Sequence, residues 1–66
     1  MFTLYYKFKN NESGTSIEFS DMEDVKEFLD EDLNISDISD IDEDVLRIKG
    51  IDEFVLLDGD VEVLYY

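Results

Sequence analysis

The sequence predicts an α+β fold, a small antiparallel sheet carrying one amphipathic helix, with elements in the order ββαβββ. Three observations predict it. Apolar residues alternate over the first eight positions, a helix-start signature stands at Ser20–Glu23, and Asp58-Gly59 separates two apolar runs. Residues 1–66 are expected to form a single compact domain: 44% apolar residues with five Phe and four Tyr supply one small core, near the lower size at which chains fold unaided.

The elements follow in order. Phe2, Leu4, Tyr6 and Phe8 alternate with Thr3, Tyr5, Lys7 and Lys9, the period of a strand with one buried face. Asn10-Asn11-Glu12-Ser13-Gly14 has turn composition, and Ile17 and Phe19 resume the alternation, which completes a hairpin. Ser20-Asp21-Met22-Glu23 reads as a capping box, the hydroxyl accepting from the amide three residues on while Glu23 reaches back. Met22, Val25, Phe28 or Leu29, and Leu33 then recur at three- and four-residue steps and form one apolar stripe. Acids in the first turn suit the helix dipole and acids at Asp30–Asp32 oppose it, so the helix is expected to end near Glu31. Residues 33–44 carry Ile35, Ile38 and Ile41 at three-residue spacing, which fits one side of a short helix, a 3₁₀ segment, or anchors that pin an acidic loop to the core. Val45 to Lys49, closed by Gly50, is read as a third strand. Phe54–Leu57 and Val61–Tyr65 flank Asp58-Gly59, the strongest hairpin signal in the chain. With those two residues at the centre of the turn, Leu56 pairs with Val61 and Phe54 with Val63, and Tyr65 shares their face.

Charge excludes several functions. Nineteen Asp/Glu against five Lys/Arg leave a net charge of −14. Nucleic acid and anionic membrane surfaces both need clustered cations, which this chain lacks. His and Cys are absent, so disulfides and imidazole or thiolate metal sites are excluded. No apolar run reaches the ~18 to 20 residues of a spanning helix. The opening residues lack the pattern of a secretory signal, and a cytoplasmic protein is the expectation. Ala, Pro, Gln and Trp are missing too while Ile, Lys, Asp and Asn are common, the bias of AT-rich coding.

Catalytic chemistry is poorly supplied, and no enzyme is expected. A Ser or Thr nucleophile would need Lys or a carboxylate as its base, and no Lys stands in a recognisable motif. Carboxylate pairs are so abundant that they single out nothing. Asp40, Asp42 and Asp44 match the first oxygen positions of an EF-hand loop, but Val45 stands where its Gly belongs and Ile51 where its terminal Glu belongs. No dedicated metal site and no cofactor is expected.

The arrangement of the acids carries the functional signal. Glu23, Glu27 and Glu31 step by four residues and would line one helix edge about 6 Å apart, flanked by Asp24 and Asp30. Phosphates follow one another at about 3.4 Å rise along a DNA strand, so the row resembles a nucleic-acid backbone in charge density. From Asp21 to Asp44 twelve acids meet a single cation, Lys26. A chain that needed only solubility would intersperse Lys, because like charges at this spacing cost a few tenths of a kcal/mol per pair. Glu23, Asp24, Glu27, Asp30 and Glu31, with Asp37, Asp40 and Asp42 of the following run, are the candidate partner-binding residues. A solvated acidic face is the bland alternative. Lys7 with Lys9, and Arg47 with Lys49, alternate on predicted strands and would blunt a sheet edge. Phe2, Tyr6, Phe8, Phe19, Phe28 and Phe54 are expected in the core, Tyr5 and Tyr66 on the other face, where Tyr suits a protein interface.

In size, in its −14 charge, in the capped acidic helix Ser20–Glu31 and in the run Asp37–Asp44, the chain resembles the small acidic inhibitors made by phages and mobile elements. These include DNA-mimic proteins, anti-CRISPR proteins and inhibitors of uracil-DNA glycosylase. The resemblance implies carboxylates that occupy the basic groove where a partner holds nucleic acid. The partner expected is a basic nucleic-acid-binding protein, a Cas effector nuclease such as Cas9 being favoured because AT-rich coding suits low-GC bacteria. The alternative is an acidic protein-binding module, of antitoxin or glycosylase-inhibitor type, that neutralises another basic host protein.

Overall fold

The computed structural model describes all 66 residues. Strands β1 (Phe2–Phe8) and β2 (Thr15–Phe19) are followed by helix α1 (Met22–Leu33), a 3₁₀ turn at Ile38–Asp40, helix α2 (Glu43–Ile48), and strands β3 (Ile51–Asp58) and β4 (Val61–Tyr65). The four strands form one antiparallel sheet in the order β2-β1-β3-β4. The fold is α+β, as the apolar alternation and the helical stripe predict. Both helices lie on one face of the sheet, and the other face has no cover. Leu4, Phe54 and Leu56 from the sheet are buried against Val25, Leu29 and Leu33 of α1, Leu46 of α2, and Ile35 and Ile41 between the helices. Phe28 extends this core toward the β1–β2 hairpin, with ring centroids 5.5 Å from Phe19 and 6.0 Å from Tyr6. No polar side chain is buried. The fold therefore rests on apolar burial, worth about 1.5–3 kcal/mol for each large side chain.

Four details depart from the pattern read along the chain. The first is the start of α1, where Asp21 is the cap: its Oδ1 accepts from the Asp24 N–H at 3.0 Å, so the box at Ser20 does not form as read. The second is the end of α1, which runs on to Leu33 because burial of Leu33 outweighs the carboxylates crowding the last turn. Asn34 then takes a left-handed conformation (φ 56°), which Asn tolerates better than most residues. The Ile35 N–H returns to the Leu29 carbonyl at 2.9 Å, and this turn drops Ile35 into the core.

The third correction is the largest. Val45–Lys49 is not a strand, and the order is ββααββ with the 3₁₀ turn between the helices. Asp42 caps α2 through an Oδ1 contact of 2.8 Å with the Val45 N–H, Arg47 pairs with Asp44 at 2.7 Å, and Gly50 at φ 78° turns the chain into β3. Arg47 and Lys49 thus sit at the C-terminal end of a helix, where cations suit the dipole, and blunt no sheet edge. Ile35 and Ile41 are buried on either side of the 3₁₀ turn, so residues 33–44 contain both the turn and the anchors.

The fourth correction concerns the last hairpin. Asp58 pairs with Val61, leaving Gly59 and Asp60 as the turn, with Gly59 at φ 60°. A bulge at Val63 follows: Leu57 opposes Glu62, but Leu56 opposes Leu64. Leu64 therefore packs on the core where Val63 was expected, Tyr65 moves to the uncovered face, and Val61 and Val63 remain exposed. Tyr66 belongs to the helix side, bonded to Phe54 through both backbone groups and donating its hydroxyl to the Ile41 carbonyl at 3.2 Å.

Candidate partner-binding surface

Helix α1 lies over β1 and β2 with Val25, Leu29 and Leu33 facing the sheet, and this orientation sorts its acids onto two flanks. Asp24, Glu27 and Glu31 fall on the β2 flank. There they line an open groove of about 380 Å³ with Asp32, and β2 closes it at Glu18, whose side chain alternates onto the opposite face of the sheet. Phe19 and Phe28 contribute its apolar part. No Lys or Arg lines this groove, and none of the four α1 carboxylates is engaged in a hydrogen bond or ion pair. Asp32 is missing from the residues singled out in the sequence because the helix is expected there to end near Glu31, whereas it runs on to Leu33.

Glu23 and Asp30 fall on the other flank with Lys26, whose ammonium lies 4.0 Å from Glu23. The straight row Glu23–Glu27–Glu31 is thus split, since each step of four residues overshoots a full turn by about 40°. The run beyond α1 faces this second flank. Asp37 caps the 3₁₀ turn, its Oδ1 accepting from the Ser39 N–H at 3.0 Å. That hydrogen bond is the main reason its carboxyl is held below the ordinary value of 3.8, and the nearby Lys26 adds to it. Asp42 caps α2. Asp40 is exposed and its side chain has no partner. Of the eight residues singled out in the sequence, three share the groove, two are caps, and three lie exposed outside it.

No three carboxylates converge on a point where they would hold a metal ion. No helix is long and apolar enough to cross a membrane. Fold and surface together define a small acidic α+β protein with an anionic groove beside α1. No family model, curated protein or solved structure matches the chain.

Proposed function

We propose that this protein is an acidic, non-enzymatic inhibitor that acts in the cytoplasm of a host cell by filling the nucleic-acid-binding groove of a basic DNA-processing protein. Resemblance to the phage-encoded acidic inhibitors favours an anti-CRISPR role, with a Cas effector nuclease such as Cas9 as the target. One observation carries the reading. Asp24, Glu27, Glu31 and Asp32 present four carboxylates along a single open groove that holds no cation, and none of the four makes a side-chain hydrogen bond or ion pair within the fold. An anionic surface of this kind attracts a phosphate-binding cleft over a range set by the Debye length, about 8 Å at physiological salt.

Competition tests it. Guide-loaded Cas9 is incubated with the protein and then with labelled target DNA over a NaCl series. Loss of DNA binding that fades as salt rises supports the reading. Binding that leaves DNA affinity untouched refutes the mimic and favours the module that neutralises a basic partner elsewhere on its surface. Absence of binding removes Cas9 as the target, and the same assay then moves to uracil-DNA glycosylase.

A further inference from the structure

The sheet face opposite the helices carries a feature that solvation alone does not explain. Its cross-strand rows run Ser16–Tyr5–Val55–Tyr65 and Glu18–Thr3–Leu57–Glu62, with Lys7 opposite Glu53 beyond them. Tyr5, Val55, Leu57 and Tyr65 therefore form one apolar patch bordered by Glu18, Glu53 and Glu62. Tyr65 is 67% exposed. It reaches this face only because Val63 bulges out of register, a device that re-aims a side chain without ending a strand. Tyr5 is fixed in place beside it. Its hydroxyl donates to Glu53 Oε2 at 3.1 Å, and Gly14 clears the space its ring occupies, since a Cβ there would run into that ring. An apolar centre holding Tyr within a polar rim is the anatomy of a protein interface.

We infer that this uncovered face docks a protein segment in which aliphatic side chains are interspersed with Lys or Arg. Charge selects that occupant. The three rim carboxylates face one cation, Lys7, which already pairs with Asp52 at 3.8 Å. A second copy would set rim against rim and bring two chains of −14 together. Phosphate-bearing surfaces are repelled by the same carboxylates. A segment carrying Lys or Arg answers the rim, and its aliphatic side chains cover Val55, Leu57 and the Tyr rings. The inference takes from the proposed function only that the partner is basic, and it concerns the face opposite the anionic groove.

Two short peptides of equal charge test it on the full chain, one alternating Lys with Val and the other Lys with Ser. NMR titration should show the Lys–Val peptide shifting Tyr5, Val55, Leu57 and Tyr65, with the Lys–Ser peptide shifting the groove residues. Tyr65→Thr with Leu57→Thr should weaken the Lys–Val peptide about tenfold and leave the Lys–Ser peptide unchanged. Should that pair of changes disturb the fold, Glu18→Lys with Glu62→Lys keeps the apolar centre and should weaken the Lys–Val peptide likewise. Equal affinity for both peptides, with shifts confined to the α1 groove, overturns the inference. So does a concentration-dependent dimer that Tyr65→Thr abolishes, which would make a second copy the occupant. Neither result depends on Cas9 competition, so this inference and the DNA-mimic reading can fail separately.

Discussion

On the β2 flank of α1, Asp24, Glu27 and Glu31 join Asp32 along an open groove and make no hydrogen bond or ion pair with their side chains. On the flank facing residues 35–44, Asp37 and Asp42 cap the turns that place Ile41 and Leu46 in the core, and Lys26 offsets part of the charge. The contrast teaches that acid content is not one property here. Some carboxylates complete helix starts, a job that Asp does well because its short side chain reaches the exposed amides. Others make no side-chain hydrogen bond or ion pair and repel their neighbours along the helix.

The sharpest way to break this comparison is charge reversal on the two flanks. Glu27→Lys with Glu31→Lys should reduce affinity for the target by about a hundredfold, within the range measured for close charge pairs across interfaces. Its thermal stability should stay level or rise slightly, because repulsion along the groove falls and a lysine joins the last turn. Reversal of Glu12, in the exposed β1–β2 loop, should change affinity far less. Equal losses at the two sites, measured by titration calorimetry, would reduce the effect to net charge without geometry.

The opposite flank should answer with stability. Asp42→Ala removes the α2 cap and should cost about 1 kcal/mol, a fall in Tm of roughly 4–8 °C for a domain of this size. Target affinity should hold at any temperature where the variant is folded. An affinity loss matching that of the Glu27 and Glu31 reversals would erase the distinction between the flanks.

A smaller effect follows from Asp37. Its folded carboxyl ionises below the ordinary 3.8, so the stability it contributes is present above that value and disappears as pH falls through the lowered one. Asp37→Asn should therefore narrow the gap to the parent protein as the pH drops through that window, followed by melting curves. A gap that stays constant would mean the hydrogen bond to Ser39 does not favour the ionised form.

The smallest prediction lies on the uncovered sheet face. Tyr5 is held above its ordinary value of 10.0, first by the hydrogen bond to Glu53, then by burial and by that carboxylate's charge. The contribution of its neutral form is full below 10.0 and is lost as pH rises through the higher folded value. Glu53→Gln should bring the titration of Tyr5 back down, followed by the ring carbon shifts in NMR. An unchanged titration would show that Glu53 does not hold the ring and that the patch around Tyr65 is less ordered than the hydrogen bond implies.

Local chemistry made much of this legible in the sequence. Period-two alternation announced β1 and β2, the spacing of Val25, Leu29 and Leu33 announced α1, and the absence of His and Cys excluded disulfides and imidazole or thiolate metal sites. These signals are contained within a few residues and need no knowledge of neighbours. The misread elements turned on caps, a bulge and packing that the apolar pattern alone does not carry. Val45–Ile48 has the β-branched composition of a strand, yet the Asp42 cap, the Gly50 stop and the burial of Leu46 make a helix the better solution. Asp42-Glu43-Asp44 ahead of a run closed by Gly was the available cue. The register of β4 turned on one bulged residue, and a shift of one position exchanges the faces of every side chain beyond it. Membership of the groove turned on the same kind of fact. Glu18 lies six residues from Asp24 along a strand and a turn, and only the packing of Phe19 against Phe28 brings β2 up to the helix to close the groove. Periodicity and capping are local free energies, whereas the choice of which acids face one another was decided by apolar packing between elements that meet only in the folded chain.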